Sequence, residues 1–405
     1  MSSSTHHEVL IVGAGAAGLS VAARLLQADD APAVTLLDPA ETHDYQPLWT
    51  LVGGGVVPVE ESRRDMAALI PPGATWIREA ATGFDPERNT VTTSGGQTLT
   101  YDFLVVCPGL QINWDAIPGL KESLGTNGVC SNYAYEQAPY TWEALQAAAR
   151  KRGPIRALFT QPAGAIKCGG APQKIMYLTA DYLRQQGRLG EADVQFFHPG
   201  QVIFGVPIFA KTLREVIARY GITTNFGHEL VEVRGDRQEA VFRTTGSGDG
   251  APAERVERFD MLHVTPPQGP PDVIRNSPLA AESGWVDLDK HTMQHVRYEN
   301  VFGLGDAGST PNAKTGAAIR KQYPVVADNL LAVRAGRAPE PQYDGYASCP
   351  LVTGYGRLVL AEFDYNNEPA PSFPFDTSKE RYSMWVLKKD MLPQLYWHGM
   401  LRGRA

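Results

Sequence analysis

A short apolar strand runs into a glycine-rich turn in Val9-Leu10-Ile11-Val12-Gly13-Ala14-Gly15-Ala16-Ala17-Gly18, near the start of the chain. The turn has the pattern G-x-G-x-x-G and is followed by a helix-like run over 19–26. In this context Gly13 permits the tight turn, Gly15 lets a pyrophosphate approach the backbone, and Gly18 lets helix and strand pack closely. The helix N-terminus supplies free N–H groups for phosphates. The segment predicts a Rossmann-like dinucleotide site, in preference to a glycine-rich turn without a ligand.

Asp38 completes the dinucleotide motif, and two later segments indicate which dinucleotide is bound. Asp38 ends the next strand-like run and can accept hydrogen bonds from an adenosine ribose. A strand-like run over 101–106 ends in a turn at Pro108-Gly109, and another over 301–304 ends in Gly305-Asp306. With these segments the chain resembles the flavoproteins that have two dinucleotide-binding domains, in which the Gly-Asp segment approaches the ribityl chain. The resemblance implies FAD.

The order of these segments predicts an α/β fold with two Rossmann-like dinucleotide-binding domains and a C-terminal membrane-facing region. The FAD-binding domain takes residues 1–120 and returns over 271–345, and the second domain spans 150–270. Residues 346–405 form the C-terminal region. The run 258–267 resembles 101–109, so both are predicted to be crossing strands, and 244–253 is predicted to be a surface turn.

The second domain lacks the signals of a nicotinamide site. Its first predicted strand, 155–160, continues with Gln161-Pro162-Ala163-Gly164-Ala165-Ile166-Lys167-Cys168. Pro162 has no backbone N–H, and side chains stand where glycines would let a pyrophosphate approach. The next strand ends in His198-Pro199 and has no acidic ribose ligand. We therefore expect electrons to come from a donor other than NADH or NADPH.

Cys168 occupies this altered loop. It is followed by Gly169-Gly170 and, after Pro172, by a helix-like run, so it lies just before a positive helix end with Lys167 adjacent. A helix N-terminus favours a nearby anion by about 0.3–1 kcal/mol, and by roughly 2 when partly buried, which predicts a stabilised thiolate. An inert buried thiol is the alternative.

Cys349 gives Cys168 a partner. It is predicted to lie on a mobile, glycine- and proline-flanked loop before a strand over 357–362. Together the two cysteine contexts resemble sulfide:quinone oxidoreductases, particularly the mitochondrial-like subgroup, and the resemblance covers almost the whole chain. Other matching segments are 45–50, 203–206 and 264–267. The resemblance implies that Cys168 and Cys349 are the catalytic redox pair. We assign the flavin-facing role to Cys168, beside the helix start, and the sulfur-accepting role to Cys349, on the loop. Cys107 and Cys130 lack such contexts and are predicted to be structural.

The predicted cofactor contacts combine the glycine turn, the strand ends and the start of a helix near residue 316, whose N-terminus favours an anionic flavin. They are Gly13, Ala14, Gly15, Ala16, Ala17, Gly18, Asp38, Gln46, Ala81, Pro108, Gly109, Gly305, Asp306, Lys314, Thr315 and Gly316. A surface position is the alternative for Lys314. No metal site is predicted.

The C-terminal run 381–402 is aromatic and Met-rich, but charges and Pro393 interrupt it. It is predicted to lie at a membrane interface, with Trp and Tyr at headgroup depth and Lys and Arg outside, and a tail packed on the protein core is the alternative. The polar start of the chain leaves no room for a signal peptide. We expect a peripheral membrane protein on the cytoplasmic face of a bacterial inner membrane.

The net charge of −7 argues against a nucleic-acid partner. The expected partners are sulfide, a membrane quinone, a membrane surface, and a small sulfur acceptor such as a thiol, sulfite or sulfide. The predicted activity is FAD-dependent oxidation of sulfide to persulfide or polysulfide, with two electrons passed to the quinone. The alternatives are a flavoprotein related to NADH:quinone oxidoreductases and a non-catalytic flavin-binding sensor.

Overall fold

The computed structural model describes residues 5–245, 253–340 and 342–405. In chain order the strands are β1 (Thr5–Val12), β2 (Val34–Leu37), β3 (Thr42–Asp44), β4 (Arg63–Asp65), β5 (Thr75–Ile77), β6 (Ala81–Asp85), β7 (Thr90–Thr93), β8 (Thr98–Val106), β9 (Gln111–Ile112), β10 (Val129–Cys130), β11 (Ile155–Thr160), β12 (Ala192–His198), β13 (Thr223–Phe226), β14 (His228–Arg234), β15 (Glu239–Thr244), β16 (Glu254–Arg258), β17 (Met261–His263), β18 (Gln268–Gly269), β19 (Val301–Gly303), β20 (Ala347–Gly354) and β21 (Arg357–Phe363). The helices are α1 (Ala16–Leu25), α2 (Trp49–Gly53), α3 (Leu120–Ser123), α4 (Ala138–Arg150), α5 (Ala171–Gln185), α6 (Pro207–Tyr220), α7 (Asp272–Arg275), α8 (Gly316–Arg334), α9 (Tyr382–Val386) and α10 (Leu392–Gln394).

The first sheet has the order β5-β2-β1-β8-β7-β6, and β19 pairs with the last residues of β8. Its centre is parallel, because β1 pairs in parallel with β2 and β8. The apolar run Val9–Val12 is buried between them, as expected for a strand covered on both faces. The glycine turn follows β1 and leads directly into α1. This is the strand–turn–helix arrangement that the sequence predicts.

The second sheet is parallel throughout, with the order β10-β17-β11-β12-β13. β17 lies beside β11 as β8 lies beside β1, which confirms the predicted pair of crossing strands and the two Rossmann-like domains. The chain enters this sheet earlier than predicted, since β10 precedes residue 150. The predicted turn over 244–253 lies largely outside the described residues.

Smaller elements join the two domains. β14, β15 and β16 form an antiparallel sheet, and β9 pairs with β18 across the two connections between the domains. The hairpin of β20 and β21 packs on α5, where Leu351 meets Gly170. After α9 the chain continues through helical turns to residue 402, including π-helical turns at Leu387–Met391 and Leu395–Gly399. Buried side chains of both domains, the hairpin and the tail form one continuous core.

Candidate active site

The glycine turn after β1 has the geometry of a phosphate cradle. Gly13 has φ +103°, and a Cβ there would lie 2.5 Å from the carbonyl oxygen of Cys107. A Cβ on Gly18 would lie 1.8 Å from the carbonyl oxygen of Gly13, so α1 and the turn pack too closely for any other residue. Gly15 faces open space. The turn therefore leaves room for a ligand at Gly15, as the sequence predicts.

Asp38 is tied to this cradle. Its carboxylate accepts the backbone N–H of Ala14 at 2.6 Å and that of Ala40 at 2.8 Å. These bonds fix the carboxylate at the end of β2, where it also lines the cavity beside the glycine turn. An acidic group in this place can hold a ribose hydroxyl.

A cavity of about 630 Å³ runs from the cradle to the sulfur pair. The predicted cofactor residues that line it are Gly13, Gly15, Ala16, Ala17, Asp38, Gln46, Pro108, Gly109, Asp306, Lys314, Thr315 and Gly316. The predicted residues Ala14, Gly18 and Gly305 do not line it. Ala81 lies on β6, at the edge of the first sheet, and the structure does not bring it to this cavity. The residues present fit a dinucleotide cofactor at the cradle end.

Lys314 is an internal residue of the site, so its predicted alternative as a surface lysine is wrong. Its Nζ donates to the carbonyl oxygens of Asp306 at 2.8 Å and Gly308 at 2.9 Å. Burial lowers the pKa of Lys314 to about 8 and raises the pKa of the Asp306 carboxyl. Thr315 caps α8 by accepting the N–H of Ala318, so this helix begins at the cavity wall.

Cys168 and Cys349 meet at the other end of the cavity. Their Sγ atoms are 3.6 Å apart although 181 residues separate them in sequence. Cys168 has φ +52°, and its N–H donates to the carbonyl oxygen of Lys314 at 2.8 Å, which ties the cysteine loop to the start of α8. Cys349 lies within β20 and is buried, so the prediction of a mobile loop is wrong. Antiparallel pairing with β21 fixes this cysteine against the start of α5.

The two thiols have opposite electrostatics. The hydrogen bond from Cys349 and the ammonium groups of Lys174 and Lys388 outweigh desolvation and hold the pKa of Cys168 well below its usual range. The interaction with Cys168 and burial raise the pKa of Cys349 well above its usual range. Cys168 is therefore the thiolate of the pair and Cys349 the thiol. Burial raises the pKa of Cys130 to about 12, which fits the prediction of an inert thiol.

Two lysines of this site are missing from the sequence predictions. Lys174 lies in the first turn of α5, and its Nζ is 3.1 Å from Cys168 Sγ. The helix start predicted near residue 173 was the signal that could have revealed it. Lys388 comes from the tail, is buried, and donates to the carbonyl oxygen of Pro47 at 2.7 Å. Lys167, which the sequence places beside Cys168, instead directs its ammonium to Gln46.

The tail is packed on the protein for most of its length. Trp385, Tyr396 and Trp397 are buried, so the prediction that Trp and Tyr lie at headgroup depth is wrong for these three. The tail closes one wall of the cavity, where Tyr396 packs against Tyr45 with ring centroids 4.4 Å apart and the ring planes tilted by 35°. The tail still exposes Tyr382, Met391 and Leu395. Among the described residues, no helix is both long enough and apolar enough to cross a membrane.

The chain is similar to known proteins in sequence and in fold. The sequence model of the pyridine nucleotide-disulphide oxidoreductases matches residues 7–141. The mitochondrial sulfide:quinone oxidoreductase of Dictyostelium discoideum is 45% identical over 98% of this chain and 86% of its own, and that of Mus musculus is 43% identical over 98% and 87%. The crystal structure of the sulfide:quinone oxidoreductase from Aquifex aeolicus has a TM-score of 0.79 at 18% identity, covering 99% of this chain and 92% of its own.

Proposed function

The chain belongs to the sulfide:quinone oxidoreductase family, and on that premise we propose that it oxidises sulfide through a Cys168–Cys349 redox pair and passes two electrons to a quinone. The observation that supports this proposal is the 3.6 Å contact between the two Sγ atoms, at the place where Cys168 lines the cavity that also contains the glycine cradle. A half-buried and a buried thiol in contact, 181 residues apart in sequence and with opposite pKa shifts, are suited to bond formation with each other.

The first step starts from an oxidised bridge between Cys168 and Cys349. Hydrosulfide attacks Cys349, a new S–S bond forms there, and the bond toward Cys168 breaks. The electron pair of that bond stays on Cys168, which the Lys174 ammonium at 3.1 Å stabilises. The Sγ atoms lie 3.6 Å apart, farther than the length of one S–S bond of about 2.05 Å, so we include in the proposal a bridge with one additional sulfur atom.

The second step releases the oxidised sulfur. A small nucleophile, such as a thiol, sulfite or sulfide, takes the outer sulfur of the Cys349 persulfide and leaves the Cys349 thiol. Cys168 thiolate and Cys349 thiol then re-form the S–S bond with loss of two electrons and one proton. These two electrons are the ones that reach the quinone.

Membership of this family implies a flavin. We propose FAD, because the cradle at Gly13–Gly18 and the carboxylate of Asp38 suit an adenine dinucleotide. When bound, the flavin supplies a two-electron acceptor for the cysteine pair and a donor for the quinone. The chain's own part is to hold it between Asp306, Lys314 and the N-terminus of α8.

We propose peripheral attachment to a membrane through the exposed part of the tail, where Tyr382, Met391 and Leu395 present apolar side chains. The tail also lines the cavity with Leu387, Leu392 and Met400, which would let a quinone reach the site from a lipid surface. The bacterial inner membrane stays a prediction, since both relatives compared above are named mitochondrial.

The decisive experiment is an anaerobic titration of the purified flavoprotein with sulfide, followed by quinone. Sulfide should bleach the oxidised flavin absorbance and quinone should restore it. NADH and NADPH should leave the spectrum unchanged, because Pro162 and the side chains around it occupy the second nucleotide loop. Rapid bleaching by NADH would instead favour an NADH:quinone oxidoreductase, and no response to sulfide with any quinone would favour a sensor.

A further inference from the structure

The carboxyl edge of the second sheet carries polar side chains that face the sulfur pair. In open parallel sheets ligands bind at this edge. Asn132 and Tyr133 follow β10 there. In the neighbouring strand, His263 is the last residue of β17, and Thr265 follows it. Asn132, Tyr133 and His263 line the same cavity as Cys168. The edge that binds a nucleotide in related folds therefore opens onto the thiols in this chain.

These side chains are buried with unpaired polar atoms. The side-chain amide of Asn132 and Nδ1 of His263 have no hydrogen-bond partner within the part of the chain that the structure describes, and the hydroxyls of Tyr133 and Thr265 have none there except a weak contact with each other. Tyr133 is 5% exposed and His263 is 1% exposed. Buried polar groups in proteins are nearly always paired with protein, water or ligand. Four of them at one sheet edge indicate a site for a small polar molecule.

The protonation states make this edge rich in donors. His263 Nε2 accepts the backbone N–H of Asn132 at 3.1 Å, so the neutral ring carries its proton on Nδ1. Burial lowers the pKa of His263 to about 3, which keeps the ring neutral, and burial followed by the charge of Cys168 raises the pKa of Tyr133, which keeps its hydroxyl protonated. Lys167 places its ammonium 5.6 Å from the Tyr133 ring centroid. Uncharged donors beside one cation suit a small anion.

We propose that Tyr133, His263 and Asn132 form a subsite that binds hydrosulfide and directs it at the Cys168–Cys349 bridge. The inference rests on the function proposed above and adds the positioning residues for its first substrate. Hydrosulfide carries one negative charge and is small enough to bind among these three side chains. Because Tyr133 and Cys168 line the same cavity, an anion bound to the Tyr133 hydroxyl shares that cavity with the bridge that it attacks.

The test is Tyr133→Phe, with Tyr101→Phe as the matched control. Tyr101 is also a buried tyrosine with an unpaired hydroxyl, but it lies on β8 and does not line the cavity. In anaerobic stopped-flow measurements, Tyr133→Phe should raise the apparent Kd for sulfide by about tenfold or more, as expected for loss of a hydrogen bond to a charged group. The rate at which quinone reoxidises the reduced flavin should stay unchanged. Tyr101→Phe should match the unmodified protein in both.

A second measurement separates binding from turnover. In the Cys168→Ser/Cys349→Ser protein, hydrosulfide is titrated while the flavin absorbance is followed, and adding Tyr133→Phe should weaken the observed affinity by the same factor. An unchanged affinity for sulfide in both assays would overturn the subsite, as would a Tyr133→Phe effect confined to the KM of a sulfite or thiol acceptor. If the unmodified protein does not oxidise sulfide at all, the proposed function fails instead.

Discussion

Lys174 Nζ lies 3.1 Å from Cys168 Sγ, and both residues belong to the same strand–loop–helix segment. Side chains of a helix lean toward its N-terminus, so a lysine in the first turn of α5 reaches back over the loop that precedes the helix. The carbonyl oxygen of Cys168 accepts the N–H of Ala171 at 2.7 Å, which holds the loop in place. A single segment thus supplies both the thiolate and the cation that stabilises it.

Replacing Lys174 by methionine should therefore move thiolate formation at Cys168 to higher pH. Loss of a charge-assisted hydrogen bond costs about 1.5–3 kcal/mol, so alkylation of Cys168 near pH 7 should slow on the order of tenfold to a hundredfold. The measurement is the rate of iodoacetamide labelling against pH in a Cys349→Ser background. Lys211→Met, on the exposed surface of α6, is the control. Equal rates in both variants would show that Lys174 does not set the reactivity.

Cys168→Ser and Cys349→Ser should each retain the flavin and lose nearly all sulfide oxidation. The double variant should be little worse than either single one, because residues that act as one unit have non-additive effects. Cys130→Ser, which changes a buried thiol outside the pair, should remain active. Turnover and mass spectrometry of the resting protein provide the measurements, and the latter should find Cys168 and Cys349 linked directly or through extra sulfur. Full activity in either single variant would contradict the mechanism.

Lys388 should make stability depend on pH. Burial, and then the charge of Lys174, lowers its pKa to about 7, whereas the unfolded chain keeps the ordinary value of about 10.4. The folded state therefore holds fewer protons between these pH values, and stability rises with pH over that range. The cost of the buried ammonium is fully present below pH 7.

Thermal melts of Lys388→Met test this dependence. The gain in Tm between pH 6 and pH 9 should be smaller in Lys388→Met than in the unmodified protein, because the variant has no ammonium to discharge. Lys389→Met is the matched control, since its side chain is partly exposed and paired with Asp390. The same gain in all three proteins would mean that Lys388 titrates normally.

How much of the structure the sequence predicts depends on how far apart in the chain the interacting residues lie. The cradle at Gly13–Gly18 and the start of α5 depend on neighbours in sequence, so patterns of a few residues reveal them. The burial of Cys349 depends on the register of β20 against β21 and on packing against the start of α5, neither of which the glycines of the hairpin turn specify. The position of Lys388 depends on the fold of the whole tail, since its charge acts on a thiol 220 positions earlier in the chain.

The amino-acid composition of the tail likewise does not decide where its side chains lie. Its aromatic and Met-rich sequence suits a membrane interface and a protein core equally, because both remove apolar surface from water. The structure buries Trp385 and Trp397 and leaves Tyr382 and Met391 exposed. Deleting 381–405 would remove both buried tryptophans, each worth roughly 3–5 kcal/mol by analogy with core truncations, and would unfold the site.

The double substitution Tyr382→Ser and Met391→Ser tests membrane attachment more selectively than the deletion does. These side chains are 70% and 59% exposed and do not line the cavity. Each would contribute roughly 1.5–3 kcal/mol if buried in lipid, so even partial insertion predicts about tenfold weaker binding to liposomes. Turnover with a long-tailed quinone should fall, whereas turnover with a water-soluble quinone and the Tm should not. Val296→Ser, 54% exposed and outside the tail, is the control. Liposome binding equal to that of the control would contradict attachment through this face, and equal loss with both quinones would indicate damage to the packed tail.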